Sequence, residues 1–579
     1  MKKNLIKILS AFLAVVLFIS IAPINSGAYL NDITEKEKNY TKQPEFMSDD
    51  LRVSYDENGL LIANYDPVSS ARPKEYTFPA EINGIPVAEV NCPLGVEKLT
   101  IPDGIRRVEN LDSSDLKEIS FGNDVEYIEG FNAEYCTGLT EITFPKSLKE
   151  LELNGHSIIQ FPSSLKKIKF SGEYQTLKLN YSEDAVIEFS EETEVVFEGR
   201  PSYDMWFLLN KSGYNLTERG GEFICVKAED KQEKTCGDFK YYLDENGCAV
   251  ISGYTGSEEN LLNIPAELDG YKVVKIGGGA FDNRAEFPSR PLDEVLAKED
   301  GFGFKEVSLP STVTEIGDCA FAYCESLEKI NLSESVETIG YSAFESCKSL
   351  TNVTFPKSLK AICDAAFYSC SFSEISLPYG TEYVGSYSFT NPLLPDESEK
   401  LKKIELADTI KFIGDETFAW SGVTEVTMPQ SLEYLGSTFW NCRSLKTVTL
   451  NDGLKEIGAA FLDTSIEKLR IPSSVVKIGS EMCWGCNLLR EVSFAEIGKV
   501  KYIGDRAFRS TRIKNIEIPD TVEYIGKEAF YYCSSLSSVI LPSGLKNLGA
   551  SCFYRCGKLD LIVLPEGLAS IGEKCFQYT

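Results

Sequence analysis

The chain has 579 residues, 43% of them hydrophobic, and its 58 Lys+Arg against 87 Asp+Glu give a formal net charge of −29. That balance excludes a basic nucleic-acid face and unaided adsorption to anionic lipid. It suits a soluble, self-repelling extracellular protein.

The chain opens MKKNLIKILSAFLAVVLFISIAPINSGAYL. Lys2, Lys3 and Lys7 precede an apolar run from Ile8 to Ala22, and Ser26-Gly27-Ala28 offers small residues for cleavage. Residues 1–28 therefore read as a secretory signal peptide. The run falls short of the 18 or more residues a spanning helix wants, and no second run of that length follows, so no membrane insertion of the mature chain is expected. Residues 29–50 are polar and read as a disordered lead-in.

At Leu51–Tyr65 (LRVSYDENGLLIANY) and Phe78–Val90 (FPAEINGIPVAEV), alternation around Asn58-Gly59 and Asn83-Gly84 predicts two β-hairpins. The same pair returns at Phe239 (FKYYLDENGCAVISGY) and Ile264 (IPAELDGYKVVKI). A starting module is thus duplicated, and each copy opens an array as its N-terminal cap. The first array, residues 51–226, is degenerate. Its strands read Val96-x-x-Leu99-x-Ile101, Leu116-x-x-Ile119-x-Phe121, Leu139-x-x-Ile142-x-Phe144 and Leu165-x-x-Ile168-x-Phe170. Tyr203 to Val226, with Trp206, is a candidate closure. The charged stretch 227–235 reads as a linker.

The second array, 236–579, is regular. From Cys324 to Cys347 and on to Cys370 the step is 23 residues. The pattern is C-x-x-L-x-x-I-x-L-P-x-x-V-x-x-I-G-x-x-A-F-x-x-C, and fixed self-similarity at such a period marks a solenoid. L-x-x-I-x-L is a period-2 strand, V-x-x-I-G a second apolar stretch bent by Gly, and A-F-x-x-C a helical or 3₁₀ turn whose Phe plugs the core. Insertions interrupt it at Asp282–Gly303 and Asn391–Lys400. The sequence stops at Cys575-Phe576 in mid-repeat. A longer protein or end-to-end self-association through that end is the expectation.

This phrase resembles the BspA-like, or Treponema pallidum, class of leucine-rich repeat. The resemblance is strong over Phe239–Thr579 and weak over Leu51 to about Phe197. It implies a right-handed curved solenoid with a parallel sheet on its concave face, secreted or on the bacterial cell surface. It also implies adhesion to an extracellular host or neighbouring-cell protein. A spacer displaying a further C-terminal domain is the alternative, and an enzyme, carbohydrate-active or otherwise, a weaker one.

Seventeen cysteines in an exported chain ordinarily suggest disulfides. Here Cys324, Cys347, Cys370, Cys442, Cys486, Cys533 and Cys556 share one slot, which favours small, buried, free thiols. Cys483-Trp484-Gly485-Cys486 falls in the same register, with Cys483 in the Phe slot, so a redox C-x-x-C is disfavoured. His156 is the only histidine, which removes Ser-His-Asp and Cys-His catalysis and any histidine cluster for zinc. No catalytic residue, metal or cofactor is expected.

The candidate binding residues are the positions the pattern leaves free beside the strand Ile, where the family usually binds. They include Lys329, Asn331, Lys403, Glu405 and Glu425, the basic spot Lys468 and Arg470, and the apolar end Ile540, Leu561 and Val563. The plainer reading is a solvated face. A stripe before the Ile-Gly mark, Tyr383, Phe412 and Tyr434, with Tyr502 and Tyr524 further on, is either a recognition surface or packing along an edge.

Overall fold

A computed structural model describes residues 46–579, apart from short internal stretches (the longest are 66–73, 172–177, 283–301 and 393–400). The signal peptide, the lead-in, His156 and both insertions lie wholly or largely outside the described residues.

Most coils carry two strands; the coil that begins at Leu350 has only Ala361–Ile362. The V-x-x-I stretch makes a short parallel strand whose last residue is buried, and these stack into one continuous 17-stranded sheet from Lys234–Cys236 to Ser570–Ile571. The L-x-x-I-x-L strands face the other way, in separate two- and three-stranded sheets such as Lys468–Ile471 on Glu491–Phe494. The first array repeats the plan, with a nine-stranded sheet running from Phe46–Ser48 to Lys178–Asn180. Both arrays open alike. Three antiparallel strands precede the first parallel pairing, Leu61 on Val87 in one and Ala249 on Val273 in the other.

The glycine of the Ile-Gly mark does not make a bend. Gly317, Gly340 and Gly504 have no positive φ, but a Cβ at Gly317 would lie 2.7 Å from the Ile276 carbonyl oxygen of the preceding coil. Glycine is there so that stacked backbones touch, which keeps this sheet unbroken.

The A-F-x-x-C stretch forms tandem turns rather than a helix. Alternate N–H groups close the turn or reach the next coil. Ala320 donates to Gly317 and Ala322 to Cys319, whereas Cys319, Phe321 and Tyr323 donate to Tyr341, Ala343 and Glu345 at 2.7–2.8 Å. This alternation puts the residues before Ala-Phe and before Cys in the left-handed region, as at Cys319 (φ 52°) and Tyr323 (φ 60°). The Phe rings stack inside as a ladder. Phe281, Phe321, Phe344 and Phe367 follow one another at 4.8, 5.3 and 5.1 Å.

The cysteine slot is a hydrogen-bonding slot. Cys347 Sγ donates to the Phe321 carbonyl at 3.2 Å, Cys442 to Phe418 at 3.1 Å and Cys533 to Phe508 at 3.1 Å, each one coil back. The described cysteines are free thiols, most of them buried. Cys483, in the Phe slot, is buried as well.

Tyr203–Lys211 (α1), capped by Ser202, is followed by a hairpin of Tyr214–Arg219 and Glu222–Lys227. Glu222–Lys227 pairs antiparallel with Glu194–Phe197, so parallel stacking in the first array stops there.

Candidate interaction surfaces

The two arrays dock along their Ile-Gly sheets, running in opposite directions. The residue after Val opens outward in the first array at Arg106, Glu126 and Lys149. The residue before Ile does so in the second at Glu456 and Lys477. Glu126, 2% exposed, accepts from Arg106 at 2.8 Å and from Lys477, and Lys149 lies 3.4 Å away. Glu456 joins Lys149 at 3.2 Å and Lys477 at 3.3 Å. Burial pushes the Glu126 carboxyl up, but Arg106, Lys149 and Lys477 outweigh it and hold the group far below the usual range. The Lys477 ammonium is lowered, chiefly by burial and then by its neighbour Lys149.

At the other end of the seam, Trp206 of α1 stacks on Tyr341 (4.8 Å, 9°) and its indole N–H donates to Asp318 Oδ2 at 2.8 Å. Tyr341 Oη donates to the Pro201 carbonyl at 2.8 Å, and Arg200 Nη1 to Cys363 Sγ at 3.4 Å. Beside this seam Glu416 accepts from Tyr387 Oη at 3.4 Å. Burial, reinforced by neighbouring Asp415, pushes its carboxyl up to about 7.

This seam takes the aromatic stripe out of solvent. Tyr383 and Phe412 are 2% and 3% exposed and stack at 5.0 Å, Arg200 lies 5.9 Å over Tyr383, and half-buried Tyr434 follows in the stack. As a free recognition surface these three residues are corrected: in this fold they lie within or alongside the seam between arrays. Tyr502 and Tyr524 stack further along at 5.1 Å.

The strand face of the second array stays open. Lys329 bonds Glu306 at 2.8 Å, and Asn331 shares that carboxylate at 2.7 Å. Lys403 pairs with Glu405 at 2.6 Å, and Glu425 is exposed. In the basic spot, Lys468 is paired with Glu491 at 2.7 Å, which leaves Arg470 as its exposed, unpaired charge among the described residues. Ile540 is 59% and Val563 38% exposed; the Leu561 side chain lies outside the described set. The candidates thus form a long ladder of positions, not one convergent pocket.

A further surface escaped the sequence reading. The two residues between Phe and Cys are repeatedly aromatic along the turn edge: Trp420, Trp440, Trp484, Tyr531 and Tyr554 are half-buried and Tyr532 and Tyr578 exposed, whereas Ala322, Glu345, Ser346 and Ser369 at the same positions are buried. The signal lay in those x positions, which the consensus discards. Among the described residues no group of His, Cys, Asp and Glu is arranged to hold a metal, and no helix is long and apolar enough to cross a membrane.

No curated protein matches the chain. Among solved structures, a leucine-rich repeat protein from Bacteroides ovatus is 26% identical with a TM-score of 0.38, over 56% of this chain and 93% of that one. A leucine rich cell surface protein from Faecalibacterium prausnitzii is 24% identical with a TM-score of 0.37, over 55% and 90%. The leucine rich repeat protein of T. pallidum is 22% identical with a TM-score of 0.28, over 45% and 91%. The model of the BspA type leucine rich repeat region matches in six copies within residues 74–160, 108–182, 300–396, 362–490 and 458–579. With both arrays matched over more than half its length, the chain belongs to the BspA-type leucine-rich repeat family.

Proposed function

We propose that this is a secreted or cell-surface bacterial binding protein that holds another macromolecule, a protein, on the strand face of its second array. The observation that carries the reading is the asymmetry of that array: its Ile-Gly face is occupied by the chain's own first array, while its strand face is open from Lys329 to Val563. A rigid, regular ladder loses little conformational freedom on binding, which favours an extended contact without a deep pocket. The face offers charges, short polar side chains and an apolar end, which suits an extended contact with another macromolecule.

The test uses the whole mature chain against extracellular matrix, serum and neighbouring-cell surface proteins. Lys468→Glu with Arg470→Glu, and Ile540→Asp with Val563→Asp, are expected to weaken a captured partner at least about tenfold, the scale of one lost anchor. Unchanged binding in both double variants would sink the strand face as the site.

A further inference from the structure

The turn edge of the last coils carries a second surface. Tyr532, Arg555 and Tyr578 occupy one position, the residue before the Cys slot, in three successive coils. All three hold left-handed backbone, φ 61°, 57° and 63°, and all are exposed, Tyr532 at 47% and Tyr578 at 60%. Each backbone N–H of Tyr532 and Arg555 is bonded to the next coil, at 2.8 and 3.0 Å, so the ladder is fixed from beneath. The Arg555 guanidinium lies 5.8 Å from the Tyr532 ring centre, 5.6 Å from Tyr578 and 5.7 Å from Tyr554. Tyr554 in turn stacks on Tyr531 at 4.9 Å.

Arg555 differs from its neighbours in charge terms. Arg506 and Arg509 share Glu528, whereas among the described residues Arg555 has no carboxylate partner. The whole chain carries 58 cationic against 87 acidic residues, yet 499–579 carries 11 Lys+Arg against 8 Asp+Glu. Within this locally cationic stretch of an acidic protein, an arginine without a carboxylate partner among the described residues stands between exposed tyrosine rings.

We infer that Tyr532, Arg555 and Tyr578 form a binding platform for an acidic polysaccharide, a polyuronate chain lying along the turn edge. Its carboxylate pairs with Arg555, and the apolar faces of the flanking sugar rings lie on Tyr532 and Tyr578, whose negative ring faces attract C–H groups. Coils repeat at about 4.8 Å, close to the advance of one pyranose along an extended chain, so rings and charge recur in step with such a polymer. The platform joins one arginine to two tyrosine rings and does not line up the many phosphate contacts a nucleic acid needs. An acidic peptide would use Arg555 without needing both rings. This platform is separate from the strand face and does not depend on it.

The experiment measures affinity of the full mature chain for polygalacturonate, with dextran, poly-glutamate and oligo-dT of matched length as alternatives. Asn substitutions are chosen because Asn tolerates left-handed φ. Polygalacturonate is expected to bind and dextran not to. Arg555→Gln should weaken the complex at least about tenfold, and Tyr532→Asn with Tyr578→Asn by a similar factor, while thermal midpoints stay at the parent value. Arg555→Lys, which keeps the charge and the fold, should retain part of the affinity. The inference is overturned if polygalacturonate does not bind, if the double tyrosine variant binds as tightly as the parent, or if poly-glutamate or oligo-dT binds more tightly than polygalacturonate.

Discussion

The two arrays fill the same coil from opposite sides. In the first, the stacked rings stand at the ends of the L-x-x-I-x-F strands, where Phe121, Phe144, Phe170 and Phe197 follow at 6.2, 4.9 and 4.8 Å. In the second, the ladder sits in the A-F turn, and the strands carry mostly aliphatic side chains, with Phe355 and Phe494 as exceptions. With the ring on the strand, the A-F-x-x-C phrase that makes the second array conspicuous is no longer what fills the core, although the coils are no shorter: Glu141 pairs with Lys167 and Lys167 with Glu194. The degenerate array is therefore no less packed; it keeps its core in positions where Phe, Leu and Ile interchange and leave a fainter pattern.

The sharpest way to break this comparison is to remove one ring from each ladder. Phe344→Ala and Phe144→Ala are each expected to cost about 3–5 kcal/mol, since both rings are fully buried between neighbours. Solenoid coils support only adjacent coils, so the damage should spread from the site. Because the seam joins the arrays, both variants should lower a single transition in chemical denaturation. Two transitions, each moved by only one variant, would show that the arrays fold independently.

The seam itself comes next. Glu126→Ala leaves Arg106, Lys149 and Lys477 around an emptied site, and removing one partner of a buried ion cluster costs about 3–5 kcal/mol. The expected outcome is undocking: a larger radius of gyration in solution scattering and faster proteolysis within 227–235. Adding Lys477→Ala should restore part of the loss, because it withdraws the cation of the three whose charged form the site disfavours on balance.

These effects also divide what the sequence shows from what it hides. The period, the buried Phe and the duplicated opening strands are local or repeated, so they stand out in one sequence. Docking is neither. Arg106, Glu126 and Lys149 look like ordinary exposed charges in ordinary slots, and the partners of Glu126 and Lys149 in the other array lie more than 300 residues away; only folding shows that Lys477 meets Glu126. The stripe at Tyr383 and Phe412 is visible as a pattern, but what covers it is not. The Ile-Gly glycine is conspicuous too, yet its reason, contact between stacked backbones, belongs to the neighbouring coil. The turn-edge tyrosines were hidden by the consensus itself, which keeps what repeats.

A smaller effect separates the arrays by pH. Glu416 of the second array holds its proton up to about 7 against an ordinary 4.5, first through burial and then through Asp415. A folded-state pKa raised in this way adds stability that is complete below about 4.5 and is lost as pH rises through about 7. The group is partly solvated, so the gain is discounted to about 1 kcal/mol. Thermal melts should rise modestly from pH 8 to pH 5.5. Glu416→Gln should raise the pH 8 midpoint and flatten that slope, and an unchanged slope would remove Glu416 as its cause.

The smallest effect concerns the cysteines, and it asks whether the second array needs thiols or only small donors. The slot of Cys347 holds Ser421, Thr464 and Thr511 in other coils, and the three hydroxyls each sit 3.2 Å from the cysteine of the following coil. A hydroxyl therefore fits the slot. Cys347→Ser keeps a donor for the Phe321 carbonyl and should cost no more than about 1 kcal/mol, whereas Cys347→Ala leaves that buried carbonyl without its thiol donor and should cost about 1–3 kcal/mol. A reducing agent should leave the parent's melting point where it is, because the buried thiols are donors to the preceding coil and not halves of bridges. If Ser proves costlier than Ala, the slot selects for apolar volume instead of a hydrogen bond, and the recurrence of Thr and Ser at 421, 464 and 511 needs a different cause.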